Sequence, residues 1–308
     1  MARTGTGVYQ VTFANLASYG GKSGTAAATA VGTAGEHCTV SSWNANLTPD
    51  TTVTVRCFSA AGAPADTAFD TSYIRPTASS APFAYLWAED EAAAAYTPSA
   101  HHQFNSTGAT NTIARNSTGD YTVTLPGLAS SGGTVKVTAF SAASSYCKAS
   151  DWNAAGADEQ VDVLCFDSTG APADVKFTLS FADDTSIVAN GATSGYVWGN
   201  DAANPSYTPN SAYQYNSTGA TNTITHSTAG RYTVTLPGLG SRVPILNGGN
   251  EGTVHVTAHH TTSKRCELVG FHNGIVAPGS PIPLYVDVAC HTAAGTPSDS
   301  KFVVQFSR

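Results

Sequence analysis

The chain has 308 residues, 11% of them charged and 41% hydrophobic, with a formal net charge of −7. That is enough apolar surface for a core, and the 14 Lys and Arg are too few and too scattered to neutralise a phosphate backbone, which argues against a nucleic-acid partner. No stretch approaches the roughly 20 apolar residues of a membrane-spanning helix.

The first ten residues, "MARTGTGVYQ", have no apolar signal core. This suits either a mature form carrying a start Met or an unsecreted protein, and the cysteines favour the first. Gly, Ala, Thr and Ser dominate, a composition for short strands and tight turns. "GTGVYQVTF" (5–13) reads as a lone strand, and residues 1–23 as an N-terminal strand with its linker. A Cys-bearing unit follows at 24–75, a Cys-less unit at 83–128, a second Cys-bearing unit at 133–182, a second Cys-less unit at 194–239 and a third Cys-bearing unit at 252–308.

Two of these units share a near-identical segment. "HQFNSTGATNTIARNSTGDYTVTLPGL" (102–128) returns as "YQYNSTGATNTITHSTAGRYTVTLPGL" (213–239). Alternation marks strands: Val135, Val137 and Ala139 share one face, with Lys136 and Thr138 on the other. Val53, Val55 and Cys57 fall together in the same way, as do Val161, Val163 and Cys165. "NSTG" and "GAPAD" supply turns. "EDEAAAA" (89–95) is too short for a helix and reads as a loop. The chain is therefore expected to be all-β, with about five four-stranded antiparallel units of ~50 residues. A propeller-like ring of such blades is favoured, and the alternative is tandem β-sandwiches built from paired units. The copied 27-residue segment reads as the last three strands of one meander.

Six cysteines occur in three like contexts, each first Cys followed five residues later by an aromatic: Trp43, Trp152 or Phe271. The repeat selects Cys38–Cys57, Cys147–Cys165 and Cys266–Cys290 as disulfides between neighbouring antiparallel strands. No CxxC-like spacing points to zinc. Disulfides imply an extracellular or periplasmic setting, and an extracellular, secreted protein is expected.

The pattern "STGxYxVxLPGL…GGTVxVTA…YCKxxxWN…VxVxCFDxxGxPxD…FTLxF" resembles secreted bacterial repeat proteins, actinobacterial and myxobacterial in type, of uncharacterised function. The resemblance spans nearly the whole chain and implies export and a β-rich repeat, with no catalytic residue or ligand. The third Cys-bearing unit departs from it, being longer and richer in Pro.

Catalytic motifs are missing: no GxSxG, HExxH, P-loop or GxGxxG occurs. Adjacent pairs His101–His102 and His259–His260 point to opposite faces of a strand and suit exposed positions better than a metal. Glu89, Asp90, Glu91, Asp183 and Asp184 read as loop charge, and Asn105 and Asn216 as turn formers. No catalytic residue, metal or cofactor is expected. "YLWAED" and "YVWGND", each followed by "YTP", place Trp87, Asp90 and Tyr96 in one set and Trp198, Asp201 and Tyr207 in another. An indole face beside carboxylates suits a sugar ring, and core packing of the two Trp is the plainer reading. The leading expectation is a secreted, non-enzymatic, lectin-like protein that binds glycan or another cell-surface polymer. The alternative is a structural protein of an envelope, matrix or filament that self-associates through its N-terminal strand. The insertions 240–252 and 274–283 break the repeat and are where a unique function would sit.

Overall fold

A computed structural model of the chain describes residues 1–17, 21–45, 49–75, 78–186, 192–241 and 252–308. Residues 242–251, most of the first insertion, lie outside them. The described residues are almost wholly strand and turn, with two single-turn 3-10 segments at Ala100–His102 and Ser211–Tyr213.

The strands group around three apolar cores. Around the first lie β1 (Ala2–Gly5), β2 (Val8–Phe13), β3 (Thr25–Val31), β4 (His37–Ala45), β5 (Thr51–Phe58) and β6 (Ala68–Ile74). The second is enclosed by β7 (Phe83–Ala88), β8 (Ala95–Tyr96), β9 (Gln103–Asn105), β10 (Thr112–Ser117), β11 (Asp120–Leu125), β12 (Thr134–Phe140), β13 (Ser145–Ala155), β14 (Asp158–Asp167) and β15 (Lys176–Ala182). The third lies within β16 (Ser194–Gly199), β17 (Ser206–Tyr207), β18 (Gln214–Asn216), β19 (Thr223–Thr228), β20 (Arg231–Leu236), β21 (Thr253–His259), β22 (Arg265–Asn273), β23 (Leu284–His291) and β24 (Lys301–Ser307).

Each core is the filling of a two-layered sandwich. In the second, one layer runs β12-β15-β7-β9 and the other β13-β14-β11-β10-β8. The third repeats this as β21-β24-β16-β18 over β22-β23-β20-β19-β17. Among the described residues, the first has β3-β6 over β4-β5-β2-β1. Inward residues alternate along the strands, as in Tyr121, Val123 and Leu125, all buried.

This corrects the favoured expectation. No closed propeller is present among the described residues, and the strands of one unit are shared between two facing layers instead of standing as one blade. The copied segment is not one meander: β9 pairs with β7 in one layer, whereas β10 and β11 belong to the other. Paired Cys-less and Cys-bearing units form one sandwich, as in the alternative arrangement.

The three disulfides join directly opposed residues of neighbouring strands: Cys38–Cys57, Cys147–Cys165 and Cys266–Cys290. A register shift follows at the same place in each hairpin, between Val40 and Ser42, Ala149 and Asp151, and Leu268 and Gly270. Five residues after an inward Cys, plain alternation would turn the aromatic outward. The extra residue of the bulge turns it back, so Trp43 stands opposite Val53, Trp152 opposite Val161 and Phe271 opposite Val286.

The sandwiches touch in cyclic order. Val40 of β4 bridges Phe140 of β12, and Leu268 of β22 bridges Val31 of β3, each in parallel. Between the second and third sandwiches, Trp152 of β13 lies 5.0 Å from His259 of β21. Replacing Cys147 and Cys165 together by Ser is expected to lower stability by about 3 kcal/mol, the loop-closure term for such a bridge, read from the urea midpoint with the far-UV spectrum unchanged.

Candidate functional site

Trp87 and Trp198 lie on the outer faces of β7 and β16, half-buried between sandwiches. The Trp87 ring is 4.7 Å from both His102 and Phe140 and 5.4 Å from Trp43. The Trp198 ring is 4.8 Å from Tyr213, 5.0 Å from His259 and 5.5 Å from Trp152, with the Lys301 ammonium 5.5 Å from its centroid. Both indole Nε1 atoms are buried and make no hydrogen bond. Asp90 and Asp201 are exposed, and their backbone N–H groups donate to the Tyr96 and Tyr207 hydroxyls, each at 3.2 Å. Those two tyrosines pack against the second and third cores. Each Asp and Tyr are thus brought together, while each Trp turns to the neighbouring sandwich.

The aromatic junctions use the bulged residues as well. Trp152 is buried, and its Nε1 donates to the Gly132 carbonyl at 3.0 Å. Trp43 does the same to Ser23, also at 3.0 Å. His102 and His259 belong to these junctions, against the expectation of exposed histidines, and His102 also meets Glu89 at 2.9 Å. His101 and His260 are the exposed members of each pair. Asn105 and Asn216 form turns as expected: each accepts from the backbone and hydroxyl of the Thr two residues on.

Where the sandwiches meet, equivalent residues of all three line one cavity of about 60 Å³, among them Thr29, Thr138 and Thr257, and Cys38, Cys147 and Cys266. It is far smaller than a small-molecule pocket, ordinarily ~300 Å³ or more. The residues preceding the three cysteines meet one another. The Arg265 guanidinium lies 4.9 Å from the Tyr146 ring centroid, and its Nη1 donates to His37 Nδ1 at 3.2 Å. Burial, and then Arg265, push the His37 pKa down to about 3. Burial also pushes Lys148 down to about 7, with Lys264 adding to it. The Lys148 ammonium donates to the carbonyls of Thr262 and Lys264. Glu267, 2% exposed, accepts from the Gly35 N–H at 2.8 Å, and burial pushes its pKa up to about 8. Among the described residues no cluster of His, Cys, Asp and Glu could hold a metal ion.

A second recurring arrangement escaped the sequence reading. The last Asp of each G-x-P-x-D turn (62–66, 170–174 and 295–299) holds the tip of an earlier β-hairpin, β1–β2, β10–β11 or β19–β20. Asp66, Asp174 and Asp299 accept from the backbone N–H of Gly7, Gly119 and Gly230 at 2.9, 2.9 and 2.7 Å. They also accept from the hydroxyls of Tyr9, Tyr121 and Tyr232 at 3.1, 3.1 and 3.4 Å. Gly is required there: with φ between 65° and 68°, a Cβ would stand within 2.5 Å of a Cys carbonyl oxygen. Arg115 pairs with Asp174 at 2.7 Å, and that hydrogen bond holds the carboxyl at about 2. The repetition of G-x-P-x-D was the available signal.

These corners align the sandwiches residue by residue. Arg3 corresponds to Arg115, so Met1 corresponds to Ile113 and Leu16 to Leu128. Ile113 is 2% and Leu128 4% exposed; Met1 is 84% and Leu16 38% exposed. Phe69 is half-buried where Phe177 and Phe302 are wholly enclosed. In the second sandwich β7 pairs with β15, β9 with β7, and β8 with β10; β16, β18 and β17 do the same in the third. No described strand fills these three places in the first. β6 and β1 are edge strands, and a space of about 420 Å³ opens between them, lined by Met1, Tyr9, Asp66, Thr67, Ala68 and Phe69.

Trp152→Ala is expected to cost about 3–5 kcal/mol, since it empties a core position as well as a junction, measured by chemical denaturation. The Glu267 carboxyl titrates higher in the folded than in the unfolded chain. Its contribution is therefore complete below about pH 4.5 and fades as pH rises through about 8. Glu267→Gln is expected to melt higher than the parent at pH 9 and to lose most of that advantage at pH 5, checked by calorimetry across this range. No family model, no curated protein and no solved structure matches the chain.

Proposed function

We propose that the protein is an extracellular, non-catalytic structural module that joins other polypeptide chains through its exposed strand edges. The observation that carries this reading is the body itself: three disulfide-bearing sandwiches held in cyclic order by the β4–β12 and β22–β3 bridges and by ring packing at Trp43 and Trp152, with β1 and β6 at sheet edges among the described residues. An unpaired strand edge is a template for another strand. The N-terminal segment expected to mediate self-association puts β1 at the sheet edge. Three disulfides fit an extracellular home. The cyclic contacts give the rigidity a scaffold needs. The glycan reading has less support, because the Trp87 and Trp198 rings are engaged by other aromatic rings at the junctions.

Light scattering across a wide concentration range tests the reading. Reversible association is expected, and it should be lost when Phe69→Lys and Thr71→Lys place charge on β6. A chain that stays monomeric at every concentration and captures no other polypeptide sinks it.

A further inference from the structure

We infer that the cavity where the three sandwiches meet binds a small inorganic anion of halide size, as the counter-ion of Lys148 and Arg265. The inference is separate from the strand-edge reading above, and neither depends on the other.

Its warrant is a pair of buried cations without a carboxylate to balance them. Lys148 is 1% and Arg265 4% exposed, and both line the cavity. None of the ion pairs among the described residues includes either of them. Burying a charge without a partner is far costlier than burying a neutral polar group. Two carboxyls are near. Glu36 lines the cavity, but its Oε2 accepts from the Ala34 N–H at 2.9 Å and would stand 2.5 Å from a Cβ on Gly32, which sets it against the β3–β4 turn. Glu267, held up at about 8 by burial, is mostly protonated at neutrality. Lys264 is a third cation in the wall. The other titratable groups there are uncharged: burial keeps His37 down at about 3 and Tyr146 up at about 12. Positive charge is therefore in excess around the cavity. Burial and then Lys264 disfavour the charge on Lys148, and a bound anion would restore it.

The same wall holds donors that the chain leaves over. The Arg265 Nε–H and the Thr138 hydroxyl are buried and make no hydrogen bond among the described residues. Lys148 donates to the carbonyls of Thr262 and Lys264, two of the three bonds that an ammonium can make. Arg265 is fixed in place, because its Nη2 donates to the carbonyls of Ala60 at 3.1 Å and Ala293 at 2.8 Å while its Nη1 donates to His37. Donors from the second and third sandwiches thus converge, and an anchor from the first orients them, so the site exists only where all three bodies meet. The volume sets the class of ligand. A water needs ~10–15 Å³ of such space, so about 60 Å³ admits a monatomic anion with a water or two and excludes an organic ligand.

The test takes the full chain with its disulfides intact and exchanges sodium gluconate for sodium chloride at fixed ionic strength. The urea midpoint is expected to rise and then level off, since a ligand bound by the folded chain alone stabilises it by mass action until the site is filled. Lys148→Met keeps the stem and removes the ammonium, and should raise the half-saturating chloride concentration at least about tenfold, the scale of a hydrogen bond to a charged group. Thr138→Val should raise it about fivefold. Crystals of the chain refolded from urea in sodium bromide should show anomalous scattering inside the cavity. Should Lys148→Met not fold, Thr138→Val and the bromide crystal decide. A midpoint that climbs without levelling off, or that levels off at the same chloride concentration in the parent and the variants, overturns the site. So does a cavity holding water alone, with bromide found only on the surface as an adventitious ion.

Discussion

Each complete sandwich is closed by the pairing of its first strand with its last. Phe83 stands opposite Ala182 and Ser194 opposite Ser307, so the ladder joins segments at the two ends of their sandwich. Everything else in the layer hangs on that ladder. It seats β9 or β18 at the outer edge, covers the phenyl rings of Phe177 and Phe302, and aims Trp87 and Trp198 at the neighbouring body. Among the described residues the first sandwich has no such ladder, and there Phe69 is half-buried and Met1 and Leu16 meet solvent.

The sandwiches are held to one another by unlike means. Aromatic rings dominate the two junctions built around Trp43 and Trp152, where the indoles donate to backbone carbonyls. The meeting point of all three is polar and encloses the small cavity of about 60 Å³. There His37, Tyr146 and Arg265 occupy equivalent positions and form a neutral–aromatic–cationic set that three identical residues could not make. Burial keeps His37 uncharged beside the guanidinium, which removes a repulsion at the point of closest approach. The residue before the first Cys thus differs in all three Cys-bearing units, at a point where symmetry would otherwise place like groups against each other.

Much of this was legible in the residues. The cysteine pairs were readable because one context recurs three times, and the strands because apolar residues alternate around them. The division of units into two layers was not. A turn such as "NSTGA" has the residues of a hairpin, yet between Asn105 and Thr112 the chain leaves one layer for the other, and what fixes the crossing is a set of side-chain bonds from Asn105 to Asn111 and the Pro126 carbonyl. The aromatic five residues after each Cys carried a hint: odd spacing from a buried Cys is compatible with burial only if a bulge intervenes. The Trp, Asp and Tyr of the expected sugar sites are neighbours in sequence, but strand alternation and the layer change send the indole to one side and the phenol to another. The corner Asp was visible as a repeated letter, and its role is set by a Gly in a different hairpin, which local pattern cannot reveal.

The first–last ladder also fixes how the chain would respond to tension. Because Phe83 lies beside Ala182 and Ser194 beside Ser307, the chain enters and leaves each complete sandwich at the same end. A pull along the polypeptide would load the hydrogen bonds one pair at a time, as a zip opens, instead of shearing them all at once. Extension would then stop at the covalent crosslinks, which keep the segments between residues 38 and 57, 147 and 165, and 266 and 290 from paying out. Such a body yields early under load and then holds, the behaviour of a shock absorber.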